Sequence, residues 1–257
     1  MLELKNIVTT FNKGTVDETT LFNDFSFTVN KGEFISVIGS NGSGKTTMLN
    51  LICGSLAPDS GSICFEGKDI TKMSEFKRAK RIGRVFQDPK MGTCSNLTIL
   101  ENLALADNKN KLYSLTNAIN KKRIDYYKTL LEECNMGLEN RMGVQVGNLS
   151  GGQRQALALV IANMSDISLL ILDEHTAALD PKSSETIMQL TDKFVKTKNI
   201  TTLMVTHNLR FAVEYGNRLV MMHMGNCIMD LDEEKKKTVA IDDILNKFNE
   251  ISIELGN

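Results

Sequence analysis

The segment Gly39–Thr46 has the residue types of a phosphate-binding loop and fits the pattern G-x-x-x-x-G-K-[ST] at every fixed position. Glycines let the backbone turn with its N–H groups facing inward, and the positive end of a following helix adds to this anion site. Lys45 would then reach the β- and γ-phosphates of a nucleotide, and the Thr46 hydroxyl would bind Mg²⁺. The expected nucleotide ligands are Gly39, Ser40, Asn41, Gly42, Ser43, Gly44, Lys45, Thr46 and Thr47.

Two carboxylates, Asp173 and Glu174, follow the apolar run Leu169–Leu172, which predicts a buried strand. Ligands of parallel sheets bind at the carboxyl ends of strands. Asp173 is expected to hold Mg²⁺ through water, and Glu174 to orient or deprotonate the attacking water. His207 follows the predicted strand Thr201–Thr206, and we expect it to contact the γ-phosphate.

The segment Leu149–Gln153 reads Leu-Ser-Gly-Gly-Gln. Ser150 and Gln153 have the spacing of a capping box at the start of a helix. A capping box does not need two consecutive glycines, however. Ser-Gly-Gly at a helix start offers bare N–H groups and a hydroxyl, which indicates a second anion site. Its residues would be Leu149, Ser150, Gly151, Gly152 and Gln153.

With this segment, the sequence closely resembles the ATP-binding subunit of ABC (ATP-binding cassette) transporters, from Leu2 to about Leu231. The resemblance makes Gly39–Thr46 the Walker A loop, Leu169–Asp173 the Walker B strand and Leu149–Gln153 the signature motif. It implies that the cofactors are ATP and Mg²⁺.

The resemblance also assigns roles to single residues. It makes Gln87 the Q-loop glutamine, which binds Mg²⁺ and senses the transmembrane partner. Glu174 becomes the catalytic base and His207 the switch histidine. Asp180 belongs to the D-loop, and Phe11 takes the place of the aromatic residue that stacks on adenine.

The implied partners are a second copy of this chain, a transmembrane permease and an extracytoplasmic substrate-binding protein. Two copies would meet head to tail, with each ATP between one Walker A loop and the other copy's signature helix. The subunit would then be cytoplasmic and peripheral on the inner face of the cell membrane. Nucleic acid is not expected as a partner, because 30 Lys+Arg balance 31 Asp+Glu.

Two stretches depart from the common family pattern. His175 stands between Glu174 and Thr176, where most ABC ATPases have proline, and the stretch Arg84–Thr93 is also distinctive. Together they resemble a bacterial subgroup linked to the uptake of aromatic amino acids such as tryptophan or tyrosine. We therefore expect an importer for a small solute of this kind, although His175 could also merely fill a backbone niche.

The fold class expected is α/β, with a P-loop NTPase core of mainly parallel sheet, an N-terminal antiparallel β subdomain and an inserted α-helical subdomain. A single domain over 1–257 would contain a core at 1–87 and 166–232, a helical subdomain at 88–165 and a C-terminal helix at 233–257. Within it, Ser114–Met136 is predicted to be a long helical segment, and Glu233–Lys237 a solvated charge cluster.

Composition limits the other possibilities. The 257 residues are 42% hydrophobic, and the longest apolar runs are too short for a membrane-spanning helix, so we expect none. The amino terminus has no basic region followed by an apolar stretch, so no signal peptide is expected. The five cysteines form no CxxC pair and no metal-ligand spacing, which indicates reduced thiols.

Two other classes of protein remain as alternatives. A non-transport ABC ATPase acting on ribosomes or DNA usually carries two cassettes or a long insert, whereas Gln87 and Leu149 are only 62 positions apart. A GTPase or small-molecule kinase would leave the signature motif unexplained, and the guanine-reading Asn-Lys-x-Asp pattern is absent from the sequence.

Overall fold

The computed structural model of the protein describes residues 1–109 and 119–254. The chain forms two compact units, each assembled from separate stretches of sequence. The first unit comprises Met1–Ile52, Leu56–Lys72 and Leu203–Asn257, and the second comprises Cys53–Ser55 and Met73–Thr202.

Strands and helices alternate along the chain, which confirms the predicted α/β class. The strands are β1 (Leu2–Phe11), β2 (Thr19–Val29), β3 (Phe34–Gly39), β4 (Ser60–Phe65), β5 (Lys68–Asp69), β6 (Ile82–Val85), β7 (Leu169–Asp173), β8 (Thr201–Val205), β9 (Arg218–His223) and β10 (Asn226–Leu231). The helices are α1 (Lys45–Cys53), α2 (Glu75–Arg78), α3 (Ile99–Asn108), α4 (Ile124–Glu132), α5 (Gly151–Met164), α6 (Pro181–Lys198), α7 (Leu209–Glu214), α8 (Glu233–Thr238) and α9 (Ile241–Glu254).

An antiparallel sheet with strand order β2-β1-β4-β5 lies in the first unit. Leu2 pairs with Val29 and Leu4 with Phe27, and all four side chains are buried. Apolar residues at alternate positions of a strand point to the same face, and here that face is covered. This sheet is the predicted N-terminal antiparallel β subdomain.

The first unit also contains β10, β9, β3 and the part of β8 from Leu203 onward, hydrogen-bonded in that order. Strand β3 is buried along its whole length, as a continuous apolar run in a parallel sheet should be. It runs parallel to β9, with Gly39 opposite Met222. The register places the carboxyl ends of β3 and β9 at the same edge of the sheet.

The C-terminal region holds two helices, α8 and α9, and α8 corrects one prediction. Residues Glu233–Lys237 were expected to be a solvated charge cluster, but Lys236 is only 4% exposed. Its ammonium group donates hydrogen bonds to the carbonyl oxygens of Tyr215 and Gly216. Lysine near unpaired carbonyl groups can satisfy them, so burial of this charge is compensated.

The second unit contains the parallel strand pair β6 and β7 together with helices α2 to α6. A capping box formed by Thr98 and Glu101 is present at the start of α3. A long helical segment was predicted over Ser114–Met136, and its first residues, 114–118, lie outside the described residues. Beyond these, a 3-10 turn at Lys121–Arg123 leads into α4, which ends at Glu132.

Among the helices of the described residues, none is both long enough and apolar enough to span a bilayer. The predicted boundaries at 87–88 and 165–166 stay a prediction.

Candidate functional site

The loop between β3 and α1 in the first unit has the backbone shape of a phosphate cradle. Gly39 has φ +155°, and a Cβ there would lie 2.3 Å from the carbonyl oxygen of Met222. Gly44 has φ +103°, and a Cβ there would lie 2.9 Å from a ring carbon of Phe22. Neither position has room for a side chain, so the loop requires glycine at both. A closely turned backbone at a helix start suits a phosphate group.

The side chains of this loop suit nucleotide phosphates as well. The Lys45 ammonium group donates to the carbonyl oxygens of Gly39 at 2.7 Å and Ser40 at 2.9 Å, and Lys45 is 5% exposed. These contacts hold the positive charge at the loop. Thr46 is exposed, so its hydroxyl group is accessible to a hard cation such as Mg²⁺.

His207 lies at the same edge of the first unit's sheet as this loop. The Thr206 N–H donates to the carbonyl oxygen of Val37 at 3.1 Å, which sets the end of β8 beside β3. His207 follows at once and is exposed. The strand-end placement predicted for it is therefore observed.

Sequence reasoning missed a second histidine at this loop. His223 ends β9, and its Nδ1 lies 3.4 Å from the Ser40 hydroxyl oxygen. The Gly225 N–H also donates to the carbonyl oxygen of Ser43 at 3.0 Å. In the sequence, His223 is recognisable only as a polar residue at the end of an apolar strand. The parallel register of β3 and β9 brings this residue to the loop.

Phe11, the predicted adenine-stacking residue, ends β1 and is 37% exposed. A part-exposed ring at a strand end can stack on a base.

In the second unit, Asp173 is the last residue of β7 and Glu174 follows it, so both carboxylates lie at the carboxyl end of this strand. The Asp173 carboxylate accepts a hydrogen bond from Nη2 of Arg84 at 2.6 Å, and each side chain is 13% exposed. Arg84 also stacks over the Phe86 ring at 4.7 Å. Glu174 has φ +48°, in the left-handed region that side chains rarely adopt.

The signature segment starts helix α5 with the predicted capping box. The Gln153 N–H donates to the Ser150 hydroxyl at 3.2 Å, and the Ser150 N–H donates to the Gln153 amide oxygen at 3.3 Å. Arg141 donates to the same amide oxygen at 3.2 Å. Ser150 and Gly151 are exposed, so this helix start is accessible to a ligand.

Gln87 follows β6 and is exposed. The residue before it, Phe86, is hydrogen-bonded to helix α5. The side-chain amide of Gln155 donates to the carbonyl oxygen of Phe86 at 3.1 Å. Gln155 is completely buried, and sequence reasoning did not single it out.

Asp180 forms the N-cap of α6, with its carboxylate accepting from the Ser183 N–H at 3.0 Å. Hydrogen bonds from Ser183 lower the pKa of Asp180 below its ordinary value, so the cap is ionised at neutral pH. Pro181 occupies the first helical position, where its missing N–H costs no hydrogen bond.

The family model described as ABC transporter matches residues 22–177. A tyrosine transport ATP-binding protein of Clostridioides difficile is 45% identical over 248 residues, covering 96% of this chain and 98% of that protein. A phosphonates import ATP-binding protein of Treponema denticola is 30% identical over 100% of this chain and 98% of its own length.

Solved structures agree with the sequence relatives. The dimeric, post-hydrolysis structure of the ATP-binding cassette MJ0796 with ADP and Pi has a TM-score of 0.77 at 28% identity, covering 91% of this chain and 99% of that one. A nucleotide-free cassette of an ABC transporter has a TM-score of 0.80 at 28% identity, covering 100% and 99%. This chain therefore belongs to the ABC transporter family, as an ATP-binding subunit with ATPase activity.

Proposed function

We propose that this chain is the motor subunit of an importer for a small solute, and that the solute is an aromatic amino acid. The observation that carries the proposal is the 45% identity, over nearly the full length of both chains, to a protein named for tyrosine transport. The relative named for phosphonate import is only 30% identical. The motifs around Arg84–Thr93 and His175 favour the same subgroup.

The proposed nucleotide ligands are the backbone and side chains of Gly39–Thr47, with the Lys45 ammonium group on the β- and γ-phosphates. Hydroxyl, carboxylate and amide oxygens suit Mg²⁺, and Thr46, Asp173 and Gln87 would supply them. When bound, Mg²⁺ neutralises charge that develops on the phosphates. Phe11 would stack on the adenine ring.

We assign the proton transfer to Glu174. Its carboxylate would orient the attacking water and accept a proton from it, and such a group contributes typically 10²- to 10⁴-fold to the rate. His207, exposed after β8, would donate a hydrogen bond to the γ-phosphate.

A second copy of the chain is the proposed partner in catalysis. The accessible start of α5 presents the Ser150 hydroxyl group and the Gly151 N–H group, and these would bind the ATP held by the other copy. Asp180 would lie at the same contact between copies. The dimeric cassette MJ0796 supports this arrangement by analogy.

The membrane permease would bind the stretch after Gln87. Met91 is 68% exposed there, and Phe76 on α2 is 69% exposed, so both apolar side chains are available for contact with a partner. A cavity of about 160 Å³ in the same unit is lined by Cys53, Phe86 and Lys109 among others. Contact there would hold the subunit on the inner face of the membrane, beneath an extracytoplasmic binding protein. The segment 88–165 would act as the helical subdomain.

The test is an affinity pull-down from detergent-solubilised membranes of the native cell, with partners identified by mass spectrometry. We expect a polytopic permease together with a binding lipoprotein. The recovered complex is then reconstituted in vesicles, and ATP-dependent uptake of labelled tyrosine and tryptophan is measured, with Glu174→Gln as the inactive control. Recovery of ribosomal or DNA-repair proteins without a permease would overturn the transport proposal and leave the ATPase activity standing.

A further inference from the structure

His175 is a buried histidine in the link between β7 and α6, directly after Glu174. It is 2% exposed, and its Nε2 lies 3.2 Å from the hydroxyl oxygen of Thr191 on α6. Thr191 is completely buried. The contact therefore joins the link to the middle of the helix inside the second unit, away from water.

The direction of this hydrogen bond follows from the other partner of Thr191. The Thr191 hydroxyl donates to the carbonyl oxygen of Ile187 at 2.7 Å, so its only proton is already used. The hydroxyl oxygen must then accept from His175, which places the ring proton on Nε2. Burial lowers the pKa of His175 to about 4, so the ring is neutral at physiological pH and can be buried without a counter-charge.

The residue before His175 has a backbone conformation that needs support. Glu174 has φ +48°, which costs free energy for a residue with a Cβ and persists only where the surroundings fix it. One constraint is the Ala177 N–H, which donates to the carbonyl oxygen of Glu174 at 2.9 Å. Farther along, the Ser184 hydroxyl donates to the carbonyl oxygen of Thr176 at 3.1 Å.

We propose that His175 is a positioning residue for the hydrolysis step, because its hydrogen bond to Thr191 fixes the backbone from which the Glu174 carboxylate projects. Proline, the common residue at this position of the family, has no side-chain donor and could not make this bond. In this chain, helix α6 and the base are therefore connected through a buried side chain. The inference rests on the proposed role of Glu174 as the catalytic base.

The test compares two threonines of α6 in the purified full-length protein. Thr191→Val removes the acceptor of the His175 bond with almost no change in volume. Thr186→Val is the matched control, because the Thr186 hydroxyl also donates to the carbonyl group four residues earlier, that of Lys182 at 3.0 Å. We expect Thr191→Val to lower kcat for ATP hydrolysis roughly tenfold, with KM for ATP changed less than about twofold. Thr186→Val should keep kcat within about twofold of the wild type.

A second pair of variants tests the donor. His175→Gln keeps an N–H donor near the position of Nε2, and we expect it to retain most of kcat. His175→Leu has no donor and should match Thr191→Val, and the double variant His175→Leu/Thr191→Val should be no slower than either single variant. ATP binding, measured by calorimetry, is the check that each variant is folded.

Three results would overturn the inference: equal kcat in Thr191→Val and Thr186→Val, equal kcat in His175→Gln and His175→Leu, or loss of ATP binding in Thr191→Val. Glu174→Gln separates this failure from that of the proposed base. If Glu174→Gln still hydrolyses ATP at the wild-type rate, the proposed base is wrong. If Glu174→Gln is inactive and Thr191→Val is not slowed, only the role of His175 is wrong.

Discussion

Nη2 of Arg84 lies 2.6 Å from Oδ2 of Asp173, and both side chains are 13% exposed. The pair joins the parallel strands β6 and β7, in which Arg84 lies opposite Ile171. Charge pairs shielded from water depend on each other, since removal of one partner leaves the other charge without compensation. The carboxylate that we assign to Mg²⁺ is therefore held in place by an arginine of the neighbouring strand.

Replacing Arg84 should destabilise the protein more than replacing an exposed cation. We expect Arg84→Met to lower the free energy of unfolding by roughly 2–4 kcal/mol, because the Asp173 carboxyl group, only 13% exposed, loses its partner. The measurement is urea denaturation followed by circular dichroism.

Lys193→Met is the control for the Arg84 prediction. Lys193 pairs with Glu133 at 3.5 Å, and their side chains are 52% and 38% exposed, so its loss should cost less than about 1 kcal/mol. Equal losses in the two variants would show that the Arg84–Asp173 pair contributes no more than a surface contact.

The glycines of the phosphate loop should differ in their tolerance of alanine. Gly39→Ala would place a Cβ 2.3 Å from the Met222 carbonyl oxygen, whereas nothing lies within 4 Å of a Cβ at Gly42, which has φ +77°. We expect Gly42→Ala to cost about 1–2 kcal/mol of backbone strain and to keep ATP binding. Gly39→Ala should lose ATP binding, measured by calorimetry, and lower the melting temperature further. Equal ATP affinities would contradict the clash.

The free energy of unfolding should decrease at acid pH because His175 is buried as the neutral ring. Its pKa is about 4 in the folded protein and 6.5 when exposed, so between these values the unfolded chain binds more protons. The stabilisation is complete above pH 6.5 and is lost as the pH falls towards 4, by about 3 kcal/mol in total. Urea denaturation at several pH values between 7 and 5 measures how steeply the free energy of unfolding falls with pH. The dependence should be weaker in His175→Gln. An unchanged slope in that variant would show that other groups cause it.

The proposed base should separate ATP binding from hydrolysis. Glu174→Gln keeps the size of the side chain and one acceptor oxygen but cannot accept a proton, so hydrolysis should fall by about 10²-fold or more. ATP should still bring two copies together, which size-exclusion chromatography with ATP would detect. Lys45→Ala, which removes the phosphate-binding charge, should stay monomeric under the same conditions. A Glu174→Gln protein that remains monomeric at saturating ATP would contradict the proposed dimer.

Local patterns in the sequence were the part of the fold that could be predicted. The capping boxes at Thr98 and Ser150 are formed by residues three positions apart, and both are present in the structure. The N-cap at Asp180 is equally local. Such motifs need no knowledge of the tertiary fold, because their partners are neighbours on the first turn of a helix.

Contacts between distant segments could not be predicted in this way. Arg84 and Asp173 are 89 positions apart, and only the register of two strands brings them together. His223 reaches Ser40 for the same reason. Lys236 looked solvated because its neighbours are charged, but the carbonyl groups that it satisfies belong to residues 20 and 21 positions away. Sequence patterning identifies residue types, whereas these contacts depend on where the backbone turns.

One contact in the second unit connects the helices on either side of residues 110–118. Arg123 donates two hydrogen bonds to the carboxylate of Asp107, at 2.6 and 3.1 Å, and the Tyr127 hydroxyl donates to it at 3.0 Å. Asp107 lies in α3 and Tyr127 in α4, so the two helices are joined by their own side chains. We therefore expect a reporter domain inserted between Asp107 and Arg123 to leave this contact in place.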